Sequence, residues 1–124
     1  MKTEPYLQNA TAKPLNKAMM EWFVGHVFTS TDQTNDTRIN LVQADLTALP
    51  SATIILAQID PLRSEGEEVL AKRLKEAGSE VDWKIFDGMT HEFFGMGLVV
   101  GAAKSAEKMV AGGMKKAFSI DTLL

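Results

Sequence analysis

The residues Thr53-Ile54-Ile55-Leu56-Ala57-Gln58-Ile59 form a near-continuous apolar, β-branched run. A strand with one wet face alternates polar and apolar residues, so a run like this one predicts a strand covered on both faces in a parallel sheet. A parallel neighbour needs a crossover, and the next residues supply one. Ser64-Glu65-Gly66-Glu67 matches a capping box, and Val69, Leu70, Leu74 and Ala77 make a buried stripe. Glu68 stands one turn before Lys72, and Gly78 sits where a C-terminal cap belongs, so a helix is predicted over about 64–77. Val81, Trp83 and Ile85 then alternate with Asp82 and Lys84, predicting a strand over about 81–86 nearer an edge. Strand, capped helix and strand make a βαβ unit with an expected right-handed crossover.

The flanks are less regular. Residues 1–14 are polar, carry two prolines and read as an irregular lead-in. Leu15, Met19, Trp22, Phe23 and Val27 follow helical spacing behind Pro14, predicting a helix over about 15–28. The stretch 29–37 has nothing to bury and reads as a solvated loop, and 38–52 as a long connection with one short helical turn. Ala103, Ala106, Met109, Val110, Met114 and Phe118 predict a helix over about 99–118, which Gly112-Gly113 weakens by roughly 1 kcal/mol per glycine. The fold class is therefore α/β. At 124 residues the expectation is one domain, 1–124, with 1–52 as lead-in and connection and 53–124 as the βαβ unit and its last helix.

Charge and composition exclude several functions. Sixteen acidic and thirteen basic residues give a net charge of -3, with no basic cluster denser than Lys72-Arg73 or Lys115-Lys116, which argues against nucleic-acid binding. No cysteine and two histidines leave no disulfide framework and no expected metal or cofactor. The N-terminus has no apolar leader core, and the longest stretch without a polar side chain, Phe93 to Ala103, is glycine-broken and too short to span a bilayer. The expected location is cytoplasmic.

In open α/β sheets the working residues gather past the C-terminal ends of the strands. Asp60 follows the first strand directly, and His91 follows the second in Asp87-Gly88-Met89-Thr90-His91-Glu92-Phe93-Phe94. A carboxylate there can accept the imidazole Nδ1 proton and stabilise the imidazolium formed when Nε2 takes a proton from a nucleophile. Each residue alone also has a plainer reading, Asp60 as a turn residue pairing with Arg63 and His91 as a loop histidine.

The segments 49–66 and 87–94, with the spacing between them, resemble the acid and histidine segments of hormone-sensitive-lipase-like esterases, a branch of the α/β-hydrolase fold. Ala18-Met19-Met20-Glu21-Trp22-Phe23 and Asp36-Thr37-Arg38-Ile39-Asn40 resemble that branch's connection before the acid strand, so the resemblance covers roughly residues 14–118. It implies that Asp60 is the triad acid and His91 the triad base of a carboxylester hydrolase, an esterase or lipase acting on a small acyl ester. Such an enzyme also needs a serine on a Gly-x-Ser-x-Gly elbow and an oxyanion hole, both earlier in the chain. Ser30, Ser51, Ser64, Ser79, Ser105 and Ser119 do not fit that pattern. The resemblance therefore implies the C-terminal half of an esterase, inactive alone for lack of the serine elbow and oxyanion hole, with no appreciable activity on activated acyl esters beyond low-level residual histidine chemistry.

Other signals are thinner. His91-Glu92 lacks the second histidine of a zinc-protease helix, and Gly95-Met96-Gly97 lacks the strand and third glycine of a dinucleotide turn, so flexibility is its expected meaning. His26 is expected to be structural or exposed. Met19, Met20, Trp22, Phe23, Phe93 and Phe94 fit either a core or an acyl pocket, with core the expectation. Phe23, Leu62 and Phe93 are the candidate substrate contacts. The competing function is a remnant that works as a self-associating interaction module. In both cases a homodimer is expected, with the 53–59 strands paired antiparallel or the N-terminal helix exchanged.

Overall fold

The computed structural model describes residues 3–64 and 70–118. In chain order they form α1 (Glu4–Gln8), α2 (Lys17–Val27), 3-10 turns at Thr31–Asn35 and Leu41–Gln43, β1 (Ala52–Ile59), α3 (Lys72–Glu76), β2 (Val81–Thr90), a 3-10 turn at Phe93–Met96 and α4 (Gly101–Ala117). β1 and β2 pair in parallel, flanked by the helices, but the two-sided cover that the apolar run predicts is incomplete: in β1 only Leu56 and Ala57 are buried, and Ile59 is exposed. Their register is regular from Ala52↔Val81 to Ala57↔Phe86 and resumes at Ile59↔Thr90. Across that gap Gln58 alone faces the three residues Asp87, Gly88 and Met89, so β2 carries a bulge that absorbs two extra residues. Gly88 takes φ +71°, in the left-handed region, and its N–H donates to Gln58 Oε1 at 2.7 Å.

α4 packs on one face of this pair. Ala103 and Ala106, both 0% exposed, meet Ala57, Phe86 and Phe93 in the core, and the Phe86 and Phe93 rings lie 5.3 Å apart. Small residues on the helix let it approach the strands closely. The same holds for Gly113, where an added Cβ would fall 2.3 Å from Thr53 Oγ1.

The crossover helix ends as its sequence predicts. Gly78, at φ +94°, donates its N–H to Lys75 O at 3.0 Å, and Ser79 N–H donates to Leu74 O at 2.9 Å, which together make a Schellman motif. Its start differs. Residues 63–64 are already helical, so Ser64 is not the first cap, and its hydroxyl donates instead to Thr3 Oγ1 at 2.7 Å. The remainder of the expected capping box, including Glu67, lies outside the described residues.

Four further expectations change. The lead-in 1–14 contains α1, with Pro5 in its first turn where a missing N–H costs nothing, and Tyr6 buried. α2 begins at Lys17, capped by Asn16 Oδ1, which accepts from Met19 N–H at 3.0 Å. It buries none of its residues, so the expected core role of Met19, Trp22 and Phe23 fails: spacing shows that a helix has an apolar side, and among the described residues nothing covers that side. β2 runs to Thr90 rather than ending near 86, because the bulge interrupts its alternation without ending the pairing. The loop at 29–37 is exposed as expected but contains a 3-10 turn, which Gln33 Oε1 closes by accepting from Thr29 N–H at 2.8 Å.

Candidate active site

β1 delivers Asp60 and β2 delivers His91, each directly after the last strand residue. Without the bulge, His91 would overshoot Asp60 by two positions, roughly 6.6 Å along a strand. With it, Ile59 and Thr90 are level and the two side chains leave the sheet side by side. His91 Nδ1 lies 2.8 Å from Asp60 Oδ2. An ionised carboxylate can only accept, so the proton in this bond belongs to Nδ1 and the lone pair of the neutral ring to Nε2.

Asp60 is held from three sides. Its Oδ1 accepts from Leu62 N–H at 2.8 Å, the aspartate turn that Pro61 pre-sets. Its carbonyl accepts from Arg63 N–H at 3.2 Å and from Asn9 Nδ2 at 3.3 Å. Asn9 also donates to Pro5 O at 3.0 Å, so α1 is tied to the acid turn. Asp60 is only 8% exposed, and both its carboxylate oxygens are engaged. Arg63, the partner in the plainer reading of Asp60, donates to Gln58 O at 3.1 Å.

His91 keeps 32% of its side chain exposed, and Nε2 lies 3.6 Å from Glu92 Oε1, beyond hydrogen-bond range. Glu92 sits at φ +69°, ψ 0°, a left-handed turn that sends the chain from β2 into the 3-10 turn and drives Phe93 into the core behind His91. The pair opens onto a cleft of about 1440 Å³ whose apolar walls include Phe28, Ile39, Leu41, Leu62 and Phe93. Two of the three expected substrate contacts, Leu62 and Phe93, therefore line it. Phe23 does not, and α2 presents Val24 to the cleft instead. Among the described residues no serine lines this cleft. Ser51 belongs to a separate cavity of about 730 Å³ at the other end of the strands, and Ser64 is buried against Thr3. His26 is exposed, stacked 4.0 Å from Trp22 with Nδ1 bonded to Trp22 O, as expected of a structural or exposed histidine. No group of three metal-ligating side chains occurs among the described residues. No helix among them is long and apolar enough to cross a membrane.

Sequence reasoning missed Asn9 and Thr3, set aside with the lead-in, and Arg73, which fixes one wall of the cleft. The Arg73 guanidinium donates to Leu41 O at 3.4 Å, to Val42 O through a very short bond, and to Ala44 O at 2.9 Å. A Pro in the first turn followed by Asn at the helix end was the available signal for α1. Nothing local marks Arg73, because its partners lie about thirty residues upstream.

Comparison with known proteins identifies the family. A family model for the alpha/beta hydrolase fold matches residues 1–95. The carboxylesterase NlhH of Mycobacterium tuberculosis is 32% identical over 116 residues, spanning 90% of this chain and 36% of NlhH. The carboxylic ester hydrolase LipN of the same organism is 36% identical over 84 residues, which are 66% of this chain and 22% of LipN. Among solved structures, a hyperthermophilic esterase from the archaeon Pyrobaculum calidifontis superposes with a TM-score of 0.87 at 26% identity, over 94% of this chain and 37% of its own. The metagenomic carboxylesterase EstE1 gives 0.86 at 29% identity, over 93% and 40%. The chain thus spans between about a fifth and two-fifths of the length of these relatives. It belongs to the α/β-hydrolase fold family, in the branch of esterases like the hormone-sensitive lipase.

Proposed function

We propose that this chain contributes the general base and its orienting acid to serine ester hydrolysis. The observation that carries the reading is the 2.8 Å bond between His91 Nδ1 and Asp60 Oδ2 at the C-terminal ends of two adjacent parallel strands. Nε2 takes the proton of a serine hydroxyl as that oxygen attacks the ester carbonyl. The imidazolium is stabilised by Asp60, and Nε2 then gives the proton to the leaving alcohol. The serine and the oxyanion donors come from residues outside this sequence, in the part of the relatives' length that the match leaves uncovered. The substrate is a small acyl ester whose apolar part meets Leu62 and Phe93. The chain acts as one domain, with 1–52 closing over the acid and histidine segment at 53–124.

The test is a chimera in which this chain replaces the matching segment of NlhH, assayed on p-nitrophenyl butyrate. His91→Ala and Asp60→Asn are each expected to lower turnover by on the order of 10⁴, the second by favouring the wrong tautomer. A folded chimera that keeps its turnover with both substitutions refutes the assignment.

A second reading, a self-associating module, is supported by the open edge of β1, which among the described residues pairs only with β2. A bare apolar edge recruits another strand, and two β1 strands paired antiparallel about a two-fold axis would make a four-stranded homodimer sheet. Its interface should exceed roughly 1,000 Å² in total. A folded monomer in sedimentation equilibrium at micromolar concentration excludes it.

A further inference from the structure

We infer that the chain has an acyl-transfer activity of its own, centred on Nε2 of His91 and directed at activated aryl esters. It rests on the same Asp60 and His91 pair as the proposed function but needs no serine. Three features meet at this one nitrogen. The Nδ1 proton is held by a carboxylate at 2.8 Å, which keeps the lone pair on Nε2 and feeds negative charge into the ring. The imidazole is part-exposed at the mouth of a cleft of about 1440 Å³ with apolar walls, where an aryl group can bind. Glu92 Oε1 stands 3.6 Å away, close enough to accept a proton from a water attacking a group carried by Nε2.

The steps balance without a metal or redox partner. The Nε2 lone pair attacks the acyl carbon and the carbonyl π electrons move onto oxygen. Their return breaks the bond to the phenol oxygen, so a C–N bond has replaced a C–O bond and a phenolate leaves. The acylimidazolium keeps its Nδ1 proton toward Asp60. Water then attacks the same carbon, gives one proton to Glu92, and the C–N bond breaks with its electrons returning to Nε2. The products are a carboxylic acid, a phenolate, a proton released through Glu92, and His91 as it began. Alkyl esters are excluded as substrates, because the first intermediate expels imidazole more readily than an alkoxide.

His26 is a built-in control. Its Nδ1 also bonds an oxygen at 2.8 Å, the carbonyl of Trp22, so Nε2 is again the free nitrogen, but its partner is uncharged and it does not line the cleft. The experiment treats the full chain with p-nitrophenyl acetate, follows p-nitrophenolate release, and locates the acetyl group by mass spectrometry after a rapid quench. Acetyl on His91 in preference to His26 is expected. His91→Ala and Asp60→Asn should each lower the rate by on the order of tenfold or more, whereas His26→Ala leaves it unchanged. Glu92→Gln should lengthen the lifetime of the acetyl adduct several-fold.

Equal labelling of the two histidines overturns the inference and needs no variant to fold. So does turnover of ethyl acetate at a comparable rate, which would require another nucleophile. The ring nitrogen resonances separate this inference from the proposed function. A proton on Nδ1 with no acetyl transfer refutes the inference alone, whereas a proton on Nε2 removes the base orientation that both share.

Discussion

Replacing Arg73 by Met removes a guanidinium and keeps most of the stem. Three carbonyls of the segment 41–44 then lose their donor. The Leu41 contact, at 3.4 Å, is near the limit of a hydrogen bond and counts for little. The bonds to Val42 and Ala44 are charge-assisted, each with a net contribution of about 1.5–3 kcal/mol when shielded, and both are only part-buried, so water replaces some of the loss. The expected cost is about 2–4 kcal/mol. With a urea slope of about 1.5 kcal/mol/M for a chain of this size, the midpoint should fall by roughly 1.3–2.7 M. Lysine supplies a point charge that can meet one carbonyl well, so Arg73→Lys should lose about half as much. Hydrogen exchange should localise the effect, with the amides of Gln43 and Ala44, bonded within this turn, losing protection first. A midpoint shift below about 0.3 M for Arg73→Met, or equal shifts for Met and Lys, refutes the reasoning and would mean that apolar burial around Leu46 holds this wall alone.

The two adjacent glycines of α4 should respond with opposite signs. Gly112→Ala meets nothing within 4 Å and should stabilise by about 1 kcal/mol through helix propensity, whereas Gly113→Ala should destabilise by collision with Thr53 Oγ1 and turn favourable in a Thr53→Ala background. Thermal unfolding of the parent chain, the Gly112→Ala, Gly113→Ala and Thr53→Ala variants and the Gly113→Ala/Thr53→Ala double variant decides this. Gly88→Ala should cost about 1–2 kcal/mol from its left-handed backbone alone, since no atom obstructs its Cβ, and Gly88→Asn should cost less in the same measurement. The Arg38 side chain, and after it the Arg38 backbone N–H, bind Asp36 and hold its carboxyl down from 3.8 to about 2. A depressed acid favours the fold above its ordinary range and stops doing so as pH falls through about 2, so a carboxyl carbon titration should place the Asp36 midpoint there. Arg38→Ala should return that midpoint to the ordinary aspartate range, and an unchanged midpoint would contradict the cause.

What could be read from the sequence was local. β1, the glycine cap after α3 and α4 each declare themselves within one short window, and Asp60 and His91 follow because strand ends fix where side chains emerge. Three features escaped for a common reason. Asn9 on Asp60, Thr3 on Ser64 and Arg73 on the 41–44 turn join residues far apart in sequence, and no periodicity encodes such partners. The apolar side of α2 shows the opposite limit. Spacing announced a face to be covered, but a pattern on one helix cannot say whether a cover exists. The bulge hid because the alternation that marks β2 stops near residue 86, although the ladder resumes at Ile59 and Thr90.

That interruption makes the segment at Asp87 and Gly88 an expansion joint. The last rung, Ile59 and Thr90, ties the two strand ends together, while the slack in β2 is stored upstream in exposed residues. Spacing along the chain and spacing across the site are thereby uncoupled. Residues can be gained or lost in the joint while Asp60 and His91 stay level, provided the rung re-forms. The histidine is thus anchored to its partner strand more firmly than to the segment of its own strand that precedes it.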